Sequence, residues 1–319
     1  MSALEASLLR LAHAVGEPQR ELTILAEGNV SARLDDERML VKATGSSLAA
    51  SRPDDLVECR FEPILELLDD PTAFEGGAGD ARVAQALMDA RVDPAAKRPS
   101  VEALLHAVVL TSGAEAACHT HPIAANALLC SDRAELLVAG ALFPDQVVVL
   151  GTRSLLVPYV DPGLGLGRLM RHELRGFADR HGALPKVAWL QNHGIFAIGA
   201  SPAECLRITE MADKFARILL GALAAGEPRV YGDVLVVRSP MGQVRVRFAP
   251  PNDLGVLDHE VTLPDGTAVH NPLRVLPHPL GAEVIFTLRR LDGVTADAFE
   301  ADAAAVAADL ERLRALLEE

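Results

Sequence analysis

Apolar residues at Leu4, Leu8, Leu11 and Val15 recur at helical spacing, so residues 1–16 are predicted to form an amphipathic helix. Residues 29–34 and 39–43 read instead as strands, joined through the polar turn Asp35-Asp36-Glu37 as a hairpin, and residues 55–61 add a third strand. Residues 69–79, rich in Gly, Asp and Pro, read as a loop. Residues 98–112 have helical period, with Val101, Leu104, Leu105, Val108 and Val109 on one face. Residues 114–120 then form a short apolar strand and 123–129 a helix. Strands are predicted at 147–150 and 155–158, a helix at 165–180 and a strand pair at 187–191 and 195–198. Residues 201–225 close the region as a long amphipathic helix, with Ser201 at its N-cap and Pro202 at its first position. This order predicts an α/β fold with helices on both faces of a mixed or mainly antiparallel sheet.

The pattern changes after Gly226. Strand-like runs at 233–238, 244–249, 257–262 and 283–288 are split by turns such as Pro264-Asp265-Gly266, and residues 295–317 form a closing helix. The expected division is therefore 1–225 and 226–319, in keeping with about two domains for a chain of 319 residues.

Thirty Lys and Arg against 44 Asp and Glu leave a formal charge of −14, which argues against nucleic acid or an anionic membrane as the principal partner. A small anionic substrate is still admissible, because a pocket can be locally positive on an acidic protein. No apolar run reaches the roughly 18 residues of a membrane span. Glu5 and Arg10 interrupt the first apolar stretch, which reads as a helix rather than a signal peptide. Cys59, Cys118, Cys130 and Cys205 form no CxxC pair and are expected to be reduced, buried thiols of a cytoplasmic protein.

The sharpest local feature is Cys118-His119-Thr120-His121-Pro122. Residues i and i+2 of a strand share a face, so both imidazoles can converge on one metal ion; the plain alternative is two histidines at a strand end. Asn192-His193-Gly194 offers a third imidazole where two apolar runs meet. Three histidines with an open fourth position match a catalytic rather than a structural zinc site. In Arg98-Pro99-Ser100-Val101-Glu102, Ser100 is a helix N-cap candidate, and Glu102 either favours the helix dipole or projects toward the metal as a general acid/base. His106, four residues on, shares its helical face. Two glycine turns, Glu27-Gly28-Asn29-Val30-Ser31 and Lys42-Ala43-Thr44-Gly45-Ser46-Ser47, present backbone N–H groups suited to a phosphate or carboxylate.

Taken in order, Gly28-Asn29-Val30-Ser31, Thr44-Gly45, Pro99-Ser100-Val101-Glu102, His119-Thr120-His121-Pro122 and Asn192-His193-Gly194 resemble the class II aldolase/adducin family over about residues 20–220. The phrases LVKATGSSLA, PYVDPGLGLGR and NHGIF resemble the aldolase half of bifunctional aldolase/short-chain dehydrogenases. The resemblance implies a three-layer α/β/α domain with a central antiparallel sheet, usually assembled as a homo-tetramer with sites at subunit interfaces. It implies a divalent ion on His119, His121 and His193, zinc first, with manganese or cobalt as alternatives. Glu102 falls at the family's acid/base position, and Gly28, Asn29, Thr44, Gly45 and Ser100 fall where relatives hold the substrate phosphate. The implied reaction is retro-aldol cleavage of a small ketose phosphate or hydroxy-keto acid through a metal-stabilised enediolate. Epimerase or decarboxylase chemistry on the same fold, a non-catalytic adducin-like scaffold and an unrelated His-x-His hydrolase are the alternatives. Of the four lysines only Lys42 lies near the proposed site, which disfavours a Schiff-base aldolase. Val101 departs from the family, standing where many relatives carry a second phosphate-binding hydroxyl, and neither Tyr159 nor Tyr231 matches the position of the proton donor of several aldolases. Ser239-Pro240-Met241-Gly242, the run from Arg247 to His259, Asn271-Pro272-Leu273-Arg274-Val275, the run from Glu283 to Leu288 and the closing helix 295–317 resemble the later strands and long helix of an SRPBCC (START-like) domain whose first 40–50 residues are missing, with a structural or oligomerisation role preferred.

Overall fold

The computed structural model describes residues 1–73, 78–225, 234–239, 242–249, 252, 254–279, 281–290 and 293–318. Helix α1 (Ala3–Gly16) begins at Ser2, whose hydroxyl accepts from the Glu5 amide at 3.1 Å while the Glu5 carboxylate accepts from the Ser2 amide. The predicted hairpin forms as β1 (Asn29–Arg33) and β2 (Arg38–Lys42), and β3 (Leu56–Arg60) pairs beside it. Helices α2 (Glu62–Asp69), α3 (Ala78–Ala90) and α4 (Ala103–Thr111) lead into β4 (Ala116–Thr120). Then come α5 (Ile123–Leu129), α6 (Pro144–Leu150), β5 (Leu155–Val157), α7 (Leu164–His181), β6 (Val187–Leu190), β7 (Gly194–Gly199) and α8 (Pro202–Ala225).

The seven strands lie in the order β3-β2-β1-β4-β7-β6-β5, antiparallel except for the β5–β6 pair. Alternate residues serve opposite faces. Ala117, Phe196 and Ile198 join the apolar faces of α2, α3, α4 and α7, while Cys118, Ile195 and Ala197 join those of α1, α5, α6 and α8. The result is the expected three-layer α/β/α arrangement. Ser201 caps α8 through its hydroxyl, which accepts from the Glu204 amide at 3.2 Å, with Pro202 first in the helix.

Three elements differ from expectation. Residues 147–150 belong to α6, not to a strand: Pro144 opens the helix, the Gln146 side chain accepts from the Leu142 amide at 2.9 Å, and Gly151 closes it, which overrides the β-preference of three consecutive valines. Helix α3 takes in Gly79, the end of the predicted 69–79 loop, of which 74–77 lie outside the described residues. Helix α4 starts at Ala103 rather than near residue 98, so Ser100 is not its N-cap. Pro99 biases the chain before it to extended backbone, and the segment runs along β2 instead: Thr44 N–H donates to the Arg98 carbonyl (2.9 Å) and Ser100 N–H to the Lys42 carbonyl (3.2 Å). Residues 103–110 are all buried, so α4 is a central helix without a polar face, and Val101 stands exposed outside it.

The chain divides into two compact units, Met1–Val230 and Tyr231–Glu319. In the second, β8 (Val234–Ser239), β9 (Gly242–Phe248), β10 (His259–Thr262) and β11 (Ala268–Asn271) form an antiparallel sheet in the order β11-β10-β9-β8. A separate hairpin, β12 (Leu273–His278) and β13 (Gly281–Phe286), and helix α9 (Ala296–Glu318) complete it. The strand-like runs did not include β11 or β12, although residues 271–275, over the start of β12, belong to the SRPBCC resemblance; Pro272 and Pro277 flank and interrupt them. Among the described residues no helix is long and apolar enough to cross a membrane. Cys59, Cys118 and Cys205 are buried free thiols as expected, whereas Cys130 is exposed.

Asp55 ties the turn after β2 to the rest of the sheet edge. Its carbonyl accepts from the Ala43 amide (2.7 Å), and its carboxylate accepts from Lys97 Nζ (2.7 Å), Ser46 Oγ (2.5 Å) and the Arg52 amide (2.8 Å). Burial works to raise this carboxyl, but the Lys97, Ser46 and Arg52 hydrogen bonds bring it down to about 2. A folded-state value below the unfolded one means stability that is present above about pH 4 and lost as pH falls toward 2. Asp55→Asn is expected to lower stability at pH 7 by about 2 kcal/mol and to flatten the stability curve between about pH 4 and pH 2, as read from urea midpoints across pH.

Candidate metal centre

The pairing of β1, β4 and β7 brings the predicted residues together. Asn29 lies opposite His119 across β1 and β4, and His119 lies opposite Phe196 across β4 and β7. His119 is the penultimate residue of β4, and His121 follows just beyond the strand end. His193 precedes β7 in the tight turn from β6, where its amide donates to the Leu190 carbonyl (3.1 Å) and Asn192 adopts left-handed backbone (φ 53°), which asparagine tolerates. Asn126 of α5 holds this turn by donating to the His193 carbonyl at 3.0 Å.

Gly194 makes the approach possible. A Cβ there would stand 2.5 Å from the Thr120 carbonyl oxygen, 2.6 Å from His121 Cδ2 and 3.2 Å from His119 Cε1. Gly28 serves the same end from β1: its φ is +74°, and a Cβ would meet the His119 carbonyl oxygen at 2.9 Å.

His119 Nε2 stands 2.9 Å from His121 Nε2, 3.2 Å from His193 Nε2 and 3.2 Å from Glu102 Oε1, and His193 Nε2 stands 3.1 Å from the same oxygen. The four ligand atoms lie within 4.8 Å of one another, the only such metal-ligand group among the described residues. The outer ring nitrogens fix the tautomers. His119 Nδ1–H donates to the Ile195 carbonyl (2.8 Å) and His121 Nδ1–H to Glu27 Oε2 (3.0 Å), so each neutral ring turns a bare Nε2 lone pair inward. Acceptors facing acceptors at these distances repel unless a positive charge sits among them. Burial lowers the proton affinity of His119, but the Glu102 carboxylate reverses this and holds the ring above its ordinary value. Burial raises Glu102, yet His119 and His193 hold it well below the carboxylate range. A proton on His119 relieves only its own contacts, whereas a metal ion engages all four donors. Donors about 2 Å from a common ion stand roughly 3 Å apart, as do the four pairs just given. The residues therefore fit a divalent cation.

Glu102 immediately precedes α4, and its second oxygen accepts from the Asn29 side-chain amide. Ser100 Oγ accepts from the Glu102 amide at 3.4 Å, so it steadies the glutamate rather than the helix. Thr44 and Ser100 are drawn together by the pairing of residues 98–100 with the end of β2, and Gly45 faces open space. The His106 ring makes no hydrogen bond to the Glu102 carboxylate; only its backbone amide meets that residue, donating to the Glu102 carbonyl at 3.1 Å. His106 is fully buried, its Nδ1 is 2.5 Å from Ser31 Oγ, and its ring packs 4.7 Å from that of Phe196, which stacks 5.2 Å from His119.

Sequence reading had not given Glu27 or Lys42 a role. Lys42 is 1% exposed, and its Nζ donates to the carbonyls of Ala26 (3.3 Å) and Ala43 (3.2 Å), one from each glycine turn. A buried lysine thus clamps the two turns; the signal is a lone lysine following the apolar run Met39-Leu40-Val41 at the end of β2.

A family model described as the Class II Aldolase and Adducin N-terminal domain matches residues 7–220. The uncharacterized oxidoreductase YuxG of Bacillus subtilis (strain 168) is 26% identical over 173 residues, which are 54% of this chain and only 22% of that protein. The 3-oxo-tetronate 4-phosphate decarboxylase of Haemophilus influenzae (strain ATCC 51907 / DSM 11121 / KW20 / Rd) is 27% identical over 202 residues, 63% of this chain and 80% of its own. The solved N-terminal class II aldolase domain of a conserved protein from Thermoplasma acidophilum matches with a TM-score of 0.53 at 20% identity, covering 69% of this chain and 94% of that one, a likeness of fold.

Gly194→Ala is expected to push the Thr120 carbonyl and the two rings apart, costing about 1–3 kcal/mol and lowering bound metal. Thermal unfolding and metal analysis of the purified variant read both effects.

Proposed function

Because the chain belongs to the class II aldolase and adducin N-terminal domain family, we propose that it is a metal-dependent aldolase that cleaves a small ketose phosphate or a related hydroxy-keto acid. The observation that carries this reading is the convergence of three imidazoles and one carboxylate on a single point. In the proposal His119, His121 and His193 hold a divalent ion, zinc first, with manganese or cobalt as alternatives. When bound, the ion supplies a Lewis acid for the negative charge that develops on the substrate oxygens as the carbon–carbon bond breaks.

Glu102 moves the proton at the carbon next to the substrate carbonyl. Its Oε1 is turned to the histidines and its Oε2 is engaged by Asn29, which fixes the plane of the carboxylate. A carboxylate held this low in proton affinity is ionised before reaction, as a base requires. In the cleavage direction it takes the proton of the hydroxyl on the carbon beyond the breaking bond, and delivers it to the carbon next to the carbonyl once that bond is broken. The anionic end of the substrate lies against Gly28, Asn29, Thr44, Gly45 and Ser100. The buried Lys42 ammonium between the two turns supports an anion there, because its charge lies in a region of low dielectric.

Decarboxylation of a 3-oxo-acid phosphate is a second reading, favoured by the match along 80% of the Haemophilus decarboxylase. It uses the same electrophilic assistance to a carbonyl and differs in the fragment lost, carbon dioxide instead of an aldehyde. A scaffold without chemistry is disfavoured by the presence of all four donors. Ile24, Leu25 and Ile123, exposed beside His121, support assembly as a homo-oligomer, a tetramer by the family resemblance. The family match stops at residue 220, so the SRPBCC resemblance of residues 226–319 rests on the sequence motifs, and a structural or oligomerisation role is proposed for that unit.

Metal analysis of wild type and His121→Ala, followed by a screen of ketose phosphates and 3-oxo-acid phosphates for aldehyde and for carbon dioxide, tests the proposal. His121→Ala is expected to fold and to lose bound metal. Glu102→Gln is expected to keep the metal and lose at least about a hundredfold in turnover. Wild-type protein without bound divalent metal, or full activity in Glu102→Gln, overturns the reading.

A further inference from the structure

The three imidazoles are held from behind in three different ways. His119 Nδ1 donates to a backbone carbonyl, the Ile195 oxygen, and that ring is wholly buried. His193 Nδ1 is buried without a hydrogen-bond partner. His121 alone has a carboxylate behind it, Glu27 Oε2 at 3.0 Å from its Nδ1, and it is the most exposed of the three rings at 20%.

Glu27 is itself held in place. Its other oxygen, Oε1, accepts from the Ile24 amide at 2.6 Å. Its neighbours on both sides are pinned: the Ala26 carbonyl accepts from the buried Lys42 ammonium, and Gly28 lies close against the His119 carbonyl. The segment before it straps across the end of β4, since His121 N–H donates to the Leu22 carbonyl (2.8 Å) and Ile123 N–H to the Glu21 carbonyl (3.4 Å). Leu25, at the tip, holds left-handed backbone (φ 52°) with its side chain 86% exposed. A bulky residue rarely adopts that backbone. Here it turns the chain back so that Glu27 faces His121.

We propose that Glu27 is a positioning residue for the metal centre: it fixes the tautomer and orientation of His121, and through that ring sets how tightly the divalent ion is held. The inference rests on the proposed role of His119, His121 and His193 as ligands. The physical basis is that a ring carrying its proton on Nδ1 must present Nε2 as a lone pair. An acceptor behind Nδ1 holds that state and stops the ring from rotating. His119 receives the same service from the sheet backbone, which no side-chain substitution removes. His121 lies past the strand end, where the backbone supplies no such acceptor, and Glu27 replaces it. Glu27 is not one of the four donors, and its hydrogen bond into the cluster is the one to His121.

The test is a competition titration of Zn²⁺ against a chromophoric chelator, with the visible spectrum of the Co²⁺-loaded protein and thermal unfolding of the metal-free protein alongside. Glu27→Ala is expected to bind Zn²⁺ about 10–100-fold more weakly, with an altered Co²⁺ spectrum. Its metal-free form is expected to melt with metal-free wild type. Glu27→Gln keeps a carbonyl oxygen able to accept from Nδ1 and is expected to recover most of the affinity. Glu27→Ala that binds Zn²⁺ as tightly as wild type, or Glu27→Gln as weak as Glu27→Ala, overturns the inference while leaving the aldolase reading in place. Wild-type protein that takes up no Zn²⁺ overturns both.

Discussion

Two imidazole lone pairs and a carboxylate pointed at one another, with a third ring beside them, are a repulsive arrangement that the rest of this site enforces. His119 Nε2 has three polar atoms within 3.2 Å, of which His121 Nε2 and Glu102 Oε1 are acceptors. Left to relax, the rings would swing away. They are prevented by the Ile195 carbonyl behind His119, the Glu27 carboxylate behind His121, and the turn that Asn126 fixes around His193. A cation among the four donors would offset this repulsion. Binding of such an ion would be coupled to local order at the ends of β4 and β7.

The sheet explains why this constraint can be met. Antiparallel pairing of β1, β4 and β7 puts Asn29, His119 and Phe196 in one row across three strands. Side chains in such a row share a face, and α4 lies over that face, so Glu102 arrives at the same point from the helix layer. Glycine at 28 and 194 allows the neighbouring backbones to approach closely enough for residues outside the strands, Glu27 and His193, to join. The ordinary apolar core on either side holds the row rigid. None of the four donors is on a long surface loop, which suits a site that must keep charged groups at fixed separation.

Much of this was legible in the sequence because it follows from strand period. A histidine at i and i+2 must share a face, and Asn192-His193-Gly194 between two apolar runs is where a hairpin turns. The four donors that came together are those the motifs named. What period could not show was the outer shell. Glu27 lies 94 residues from His121, and no local rule joins them. Lys42 looked like the polar end of a strand, and only the folding-back of both glycine turns makes it a buried clamp. Ser100 was misread as a helix cap because Pro99-Ser100-Val101-Glu102 has the form of a helix start. The pairing of residues 98–100 with β2 outweighs that local preference and delays the helix to Ala103. Three valines at 147–149 misled in the opposite sense, their β-preference yielding to the proline and glycine that bound α6.

Exposure rises across the cluster from His119, at zero, through His193 and Glu102, at 10% and 11%, to His121 at 20%. The cluster is therefore closed on the side of the sheet and α4 and open on the side of His121. That open side is where the strap of residues 21–28 crosses the end of β4, and the same strap ends in the glycine turn that Lys42 joins to Thr44 and Gly45. A molecule with an oxygen at the histidines and an anion at the turns would run along the inner edge of this strap. Recognition at the anionic end and electrophilic assistance at the carbonyl would then share one short segment of chain. A displacement of that segment would disturb both together, which is a reason for holding it with a buried lysine, two backbone hydrogen bonds and a carboxylate rather than leaving it as an ordinary surface loop.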